Sequence, residues 1–250
     1  MVKCLQKNDV FSVFRYNGIV LRAILMDFNG VILNDEPFHL KLYQKILSNY
    51  QIPMSSQQYY QKYLVLDDEN CFRQIFKDHG KPITERELKQ LVQQKGKLYQ
   101  KEMGGRFVFF PGVANFIQKA ASRYGMAVVS GARRSEIKQP LKHIHLLRYF
   151  AAIVSAEDVV NGKPYPEGLH VARVKLNKWL FKHTRGFTSI RPDECLVIED
   201  SIEGIEMAHK AGMKCVAVTN TYPAEKLKKA DMVIKSFAGF SPSDTEKLFS

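Results

Sequence analysis

Leu21-Arg22-Ala23-Ile24-Leu25-Met26-Asp27-Phe28-Asn29-Gly30 is the stretch that decides the fold. A mostly apolar run closes on an acid and is followed at once by an Asn-Gly turn. That pattern is how the carboxyl end of a buried strand hands a carboxylate to a ligand. Two residues beyond Asp27, where a second carboxylate would do proton-transfer work, the chain carries the amide of Asn29.

Further strand-like runs lie along the chain at Met126–Ser130, Ala152–Ser155, Leu196–Glu199, Cys215–Val218 and Met232–Ile234, with the first at Arg22–Asp27. Each is short, apolar and bounded by Gly, Asp, Ser or Asn, as strands covered on both faces of a parallel sheet should be. Helical patterns at Gly112–Arg123, Pro166–Leu180 and Ile202–Ala211 alternate with them. The alternation predicts an α/β protein with a doubly wound, mostly parallel, Rossmann-like sheet.

About a hundred residues separate the first two strands, far more than one crossover needs. The interval reads as helices at Phe38–Tyr50, Ser56–Tyr63, Asn70–Asp78 and Thr84–Met103. Thr84 and Glu87 are spaced as a capping box, Ile83 and Leu88 as a hydrophobic staple. Leu88, Leu91, Val92 and Leu98 supply one apolar face. The expected organisation is an α/β core from residues 1–35 and 106–250, with an inserted all-helical cap domain at 36–105. Asn34–Pro37 and Gly104-Gly105 are the connections, and an insertion there would cover the ligand site.

Composition narrows the function classes. The chain has 250 residues, a formal net charge of +12 and four cysteines. Cys4, Cys71, Cys195 and Cys215 form no CxxC pair, which suits reduced thiols. No apolar stretch is long enough to span a membrane, and Met1 to Tyr16 carries Asp9 without a sustained apolar core, so no secretory leader is expected. The expected setting is cytoplasmic, as a monomer and with no membrane partner. Lysines and arginines are spread along the chain, the densest group being Lys226, Lys228 and Lys229 without interleaved aromatics, so nucleic-acid binding is not expected. His143 and His145 lack a third ligand nearby, which argues against zinc.

Polar residues recur at the strand ends: Asp27, Ser130, Gly162-Lys163-Pro164 after the third strand, and Glu199-Asp200. Any one is ordinary turn chemistry. Their order along the chain resembles the haloacid-dehalogenase-like hydrolase superfamily, in its β-phosphoglucomutase-like, phosphatase branch with a small helical cap. The matching segments are Met26–Val31, Val129–Gly131, Gly162–Glu167, Ile198–Ser201, Glu203–Ile205 and Ala211–Met213.

The resemblance implies a function for each. Asp27 would be the nucleophile that takes a phosphoryl group from a small phosphorylated metabolite, such as a sugar phosphate, and water would later release it. Asp27, the backbone carbonyl of Asn29, and Asp200 would hold Mg²⁺, with Glu199 helping through a water. Ser130 and Lys163 would hold the remaining phosphoryl oxygens. Glu36 and His39, where the cap begins, and Gly131, Arg133 and Arg134 would face the substrate, with guanidinium forks suited to a second phosphate or a carboxylate. Arg73 and Lys62 are weaker candidates.

Asn29 departs from the family pattern. Phosphatases and mutases of the family place an Asp there, which protonates the leaving alcohol and then deprotonates water. An amide does neither near neutral pH, and such a group contributes roughly 10²–10⁴-fold in rate. A slowed phosphatase or phosphotransferase, a non-catalytic phosphometabolite- or protein-binding member, and a phosphonatase-like enzyme using a cap lysine (Lys41, Lys45 or Lys62) all remain open. The retained Glu199-Asp200 pair argues against dehalogenation.

Overall fold

The computed structural model describes residues 20–64, 66 and 68–249. Cys4 and the segment read for a leader lie outside the described residues. In chain order the main elements are β1 (Ala23–Met26), α1 (Glu36–Leu47), α2 (Ser56–Gln58), α3 (Asp68–Asp78), α4 (Glu85–Met103), α5 (Val113–Ala121), β2 (Gly125–Val129), α6 (Arg134–His143), β3 (Ala152–Val154), α7 (Glu167–His183), β4 (Cys195–Glu199), α8 (Ile202–Lys210), β5 (Lys214–Val218) and β6 (Met232–Ile234).

The described residues divide into two compact units. The first runs to Leu33 and resumes at Phe109; the second is Asn34–Val108.

The first unit is a six-stranded sheet in the order β3-β2-β1-β4-β5-β6, parallel throughout. Every residue of β1 to β4 is buried. That is why these strands read as continuous apolar runs rather than alternating ones. The chain builds outward from β1 through β2 to β3, then returns to the other side of β1 to begin β4. Strand order therefore reverses at β1, and the carboxyl ends of β1, β2 and β4 meet at that point. Leu169, Ala172, Leu176 and Leu180 of α7 share one core cluster with Ala127 and Val129 of β2 and Val154 of β3.

The helices of the second unit pack on their own core, with Tyr43, Ile46, Phe72, Ile75, Leu88 and Leu91 at its centre. Thr84 caps α4 as its spacing predicts: its hydroxyl accepts from the Glu87 N–H at 3.3 Å, and Glu87 accepts the Thr84 N–H at 2.9 Å. Leu88 is fully buried and Ile83 packs against the same cluster. Asn34 N–H donates to the Val108 carbonyl at 2.8 Å, tying the unit's entry to its exit.

One element differs from the sequence reading. Tyr59–Tyr63 closes as a π-helical turn rather than α-helix. Arg134 opens the helix Arg134–His143, which carries Pro140 inside it.

Candidate active site

Asp27 follows the last residue of β1, and its N–H is taken by the Ile198 carbonyl of β4 at 3.0 Å. This fixes Asp27 beside the end of β4, where Glu199 and Asp200 stand. The three carboxylates are buried, and one oxygen from each lies within 4.8 Å of the others. Lys163 enters from the loop after β3: its Nζ is 3.0 Å from Asp27 Oδ2 and also pairs with Glu199 Oε1.

Local sequence makes the arrangement possible. Gly30 turns the chain at φ +76°, and a Cβ there would stand 1.9 Å from Asp200 Oδ2. Gly204, in the first turn of α8, leaves room for Glu199; its Cβ would meet the Glu199 carboxylate at 2.0 Å. Glu199 Oε2 accepts the Ser201 hydroxyl at 2.8 Å and the Asp200 N–H at 3.1 Å. Ser201 in turn caps α8, accepting the Gly204 N–H at 3.1 Å. The second glycine-acid contact explains why Glu203-Gly204 follows the acidic pair.

The charges strain against one another. Burial, with Glu199 adding to it, pushes the Asp27 carboxyl up to about 7 although Lys163 pulls the other way. Burial and then the Glu199 and Asp27 charges push Asp200 well above the ordinary carboxylate range. For Lys163 burial works downward, but Asp27, Glu199 and Asp200 outweigh it and hold the ammonium raised. With all three acids ionised against one ammonium the buried cluster would carry excess negative charge, which a divalent cation would neutralise. The donor set is all oxygen and so fits a hard cation. Oxygens around one Mg²⁺ lie at most about 4.2 Å apart, close to the spacing already present.

Ser130 ends β2 on the other side of β1. Its hydroxyl donates to Asn29 Oδ1 at 3.4 Å and accepts the Ala132 N–H at 3.1 Å. Asp27, Asn29, Ser130, Lys163, Glu199 and Asp200 are thus gathered at one end of the sheet. Gly131 and Arg133 are exposed near it. Arg134 opens α6 and pairs with Asp158, which restrains its guanidinium.

The remaining candidates lie in the helical unit. Glu36 accepts the Tyr59 hydroxyl at 2.7 Å, and burial raises its carboxyl. His39 Nε2 is 3.1 Å from Asp35 Oδ2, and its Nδ1 is 2.8 Å from Lys95 Nζ. An ammonium cannot accept, so Nδ1 accepts and Nε2 donates. Lys62 pairs with Asp78 at 2.6 Å, and Arg73 with Glu69 and Glu85.

Two groups escaped the sequence reading. Asn220 and Thr221 follow β5: Asn220 donates to the Gly30 carbonyl at 2.7 Å, and Thr221 donates to Asp200 Oδ2. They pin the turn and the acid from a strand end whose polar residues look like any other loop. Lys95 is buried on α4, pairs with Asp68, and lies 4.5 Å over the Tyr43 ring. Its signal was present: Leu88, Leu91, Lys95 and Leu98 share one helical face, so the lysine interrupts an apolar stripe.

The sequence profile of the haloacid dehalogenase-like hydrolases matches residues 24–218, and the chain belongs to that family. It is 28% identical over 163 residues to the chloroplastic 5-amino-6-(5-phospho-D-ribitylamino)uracil phosphatase of Arabidopsis thaliana, covering 65% of this chain and 40% of that one. It is 24% identical over 204 residues to the fructose-1-phosphate phosphatase YqaB of Escherichia coli, covering 82% of this chain and 97% of that one. The fold matches a β-phosphoglucomutase from Clostridium difficile with a TM-score of 0.73 at 21% identity, covering 91% and 96% of the two chains. The chain spans two fifths of the first relative's length and nearly all of the second's.

Proposed function

We propose that this protein is a Mg²⁺-dependent phosphatase or phosphotransferase of small phosphorylated metabolites, working through an aspartyl-phosphate at Asp27. The observation that carries the reading is the buried cluster of Asp27, Glu199 and Asp200 with Lys163 across it. Relatives named as phosphatases of fructose 1-phosphate and of a phosphoribitylamino compound support the substrate class.

Asp27, Asp200 and the Asn29 carbonyl would hold the metal, Glu199 at one remove. When bound it would neutralise the carboxylates and the phosphate, letting two anions approach. An Asp27 carboxylate oxygen then bonds to phosphorus as the bond to the leaving oxygen breaks. Ser130 and Lys163 take the developing charge on the phosphoryl oxygens. The leaving oxygen departs without a proton from Asn29, and water later attacks the acyl phosphate without a base there. Good leaving groups suffer least from the first loss.

In this proposal the helical unit, expected at residues 36–105, selects the substrate. Glu36 and His39 stay candidates, although a substrate would have to exchange for bonds they already make to Tyr59, Asp35 and Lys95. The non-catalytic reading has Asn29 itself in its favour. For phosphonate cleavage a free lysine is needed: Lys45 and Lys62 are paired with Glu102 and Asp78, and Lys41 is exposed with no ion pair among the described residues, so it is the lysine left to that reading.

The test compares wild type with Asn29→Asp on an aryl and an alkyl phosphate. Magnesium-dependent turnover of the aryl ester is expected, abolished by Asp27→Ala. Restoring Asp should raise alkyl-ester turnover by about 10²–10⁴-fold and aryl-ester turnover by less. Inactivity of both proteins on a broad panel would assign the pocket to binding.

A further inference from the structure

The outward face of α7 is unusual for a helix packed on a sheet. Its inner residues Leu169, Ala172, Leu176 and Leu180 are buried, yet Val174, Trp179 and Phe181 are 58%, 43% and 74% exposed. Val174 and Phe181, seven apart, fall on one outward stripe with Lys178 between them. Trp179 lies on the flank, its ring stacked on His183 at 4.2 Å.

Along this helix and the loop after it the charge has one sign. From Gly168 to Ile190 there is no Asp or Glu, while Arg173, Lys175, Lys178, Lys182 and Arg185 are present. Arg173 donates to the Ile190 carbonyl and Lys175 pairs with Asp158, so both are held inward. Lys178, Lys182 and Arg185 are exposed and make no ion pair among the described residues. Exposed large apolar groups with these cations beside them along the helix have anionic complementarity. A second copy of this chain is disfavoured there, because two-fold pairing would set cations against cations. Three outward cations are few for a nucleic-acid track, and Val174 offers no stacking surface.

We propose that this face docks on an anionic lipid bilayer. Trp179 enters the interfacial layer with its N–H edge wet, Phe181 inserts its apolar ring beside it, and Lys178, Lys182 and Arg185 meet the lipid anions. The expectation of no membrane partner rested on the lack of a spanning segment, and a helix face lying on the surface needs none. The proposal is independent of the phosphatase reading.

Trp179 is the chain's one tryptophan, so emission excited selectively at tryptophan, apart from the eleven tyrosines, reports this site alone. The full chain is mixed with phosphatidylcholine vesicles with or without phosphatidylserine, and sedimentation is measured beside emission. A blue shift and co-sedimentation are expected with phosphatidylserine and not without it. Phe181→Ser should weaken binding by about tenfold, and each of Lys178→Glu and Lys182→Glu by at least roughly fivefold. All three variants keep the reporter and alter exposed side chains. Pelleting without a Trp179 shift would assign binding to diffuse charge and overturn the proposal, as would no pelleting. An equal shift with polyglutamate would reassign the face to an acidic polypeptide.

Discussion

In the proposed mechanism Asn29 and Asp200 set the chemistry at the smallest scale. Asn29 keeps the turn and receives the Ser130 hydroxyl, but its amide moves no proton. Its neighbour matters too. Asn-Gly pairs deamidate when the glycine nitrogen attacks the side chain, and here Gly30 N–H is donated to the Leu33 carbonyl at 3.0 Å. That bond occupies the attacking nitrogen, and peptide mass mapping of each preparation tracks any Asp formed at position 29. The acids give a stability prediction. Asp27 and Asp200 have raised pKa values in the folded, metal-free state, so that state binds protons the unfolded chain has released. Stability is then fully present below the unfolded value near 3.8 and is lost as pH rises through about 7. The metal-free protein should melt lower at pH 8 than at pH 5, with Mg²⁺ restoring the difference. Asp200→Asn should raise the metal-free melting point at pH 8, because it relieves that repulsion, and remove the Mg²⁺ response. Scanning calorimetry with and without metal decides it, and a lower melting point for the variant would contradict the account.

At the scale of elements, the helical unit holds an unusual polar core. Lys95 joins α4 to α3 through Asp68 and to α1 through His39. Burial would raise the Asp68 carboxyl, but the Lys95 ammonium outweighs it and holds it below the usual range. Lys95→Met keeps the stem's packing and strands His39 Nδ1, while Asp68 can still reach water. We expect a loss of about 1–3 kcal/mol, read by urea denaturation, and an unchanged midpoint would show the pairing to be incidental. The strands and long helices were legible because periodicity and caps are local: all six strand positions, and the Thr84 cap of α4, follow from residues close in sequence. Lys95, Thr221 and Asn220 were not, because their partners lie far along the chain and only the fold brings them together. Among candidate site residues, the strand-end acids, Ser130 and Lys163 were readable as a recurrence of strand-end chemistry. Arg134 was readable only as a cation, since its pairing with Asp158 comes from a separate loop.

At the scale of the whole molecule, a family fold, a retained acidic cluster and one altered residue combine into a specific kinetic expectation. Among the described residues no helix is long and apolar enough to cross a membrane. The sheet brings Asp27, Glu199, Asp200, Ser130 and Lys163 to one end. In the proposed mechanism formation of the acyl phosphate would have what it needs, whereas its breakdown would not, because the group that would activate water is an amide. The intermediate should therefore accumulate with a good leaving group. The most direct measurement is acid quenching after mixing with Mg²⁺ and an aryl phosphate, followed by borohydride reduction and peptide mass spectrometry. The account predicts reduction of the Asp27 side chain in the wild type, a smaller trapped fraction in Asn29→Asp, and none without Mg²⁺. An unmodified Asp27 in the wild type while aryl phosphate is being consumed would contradict it.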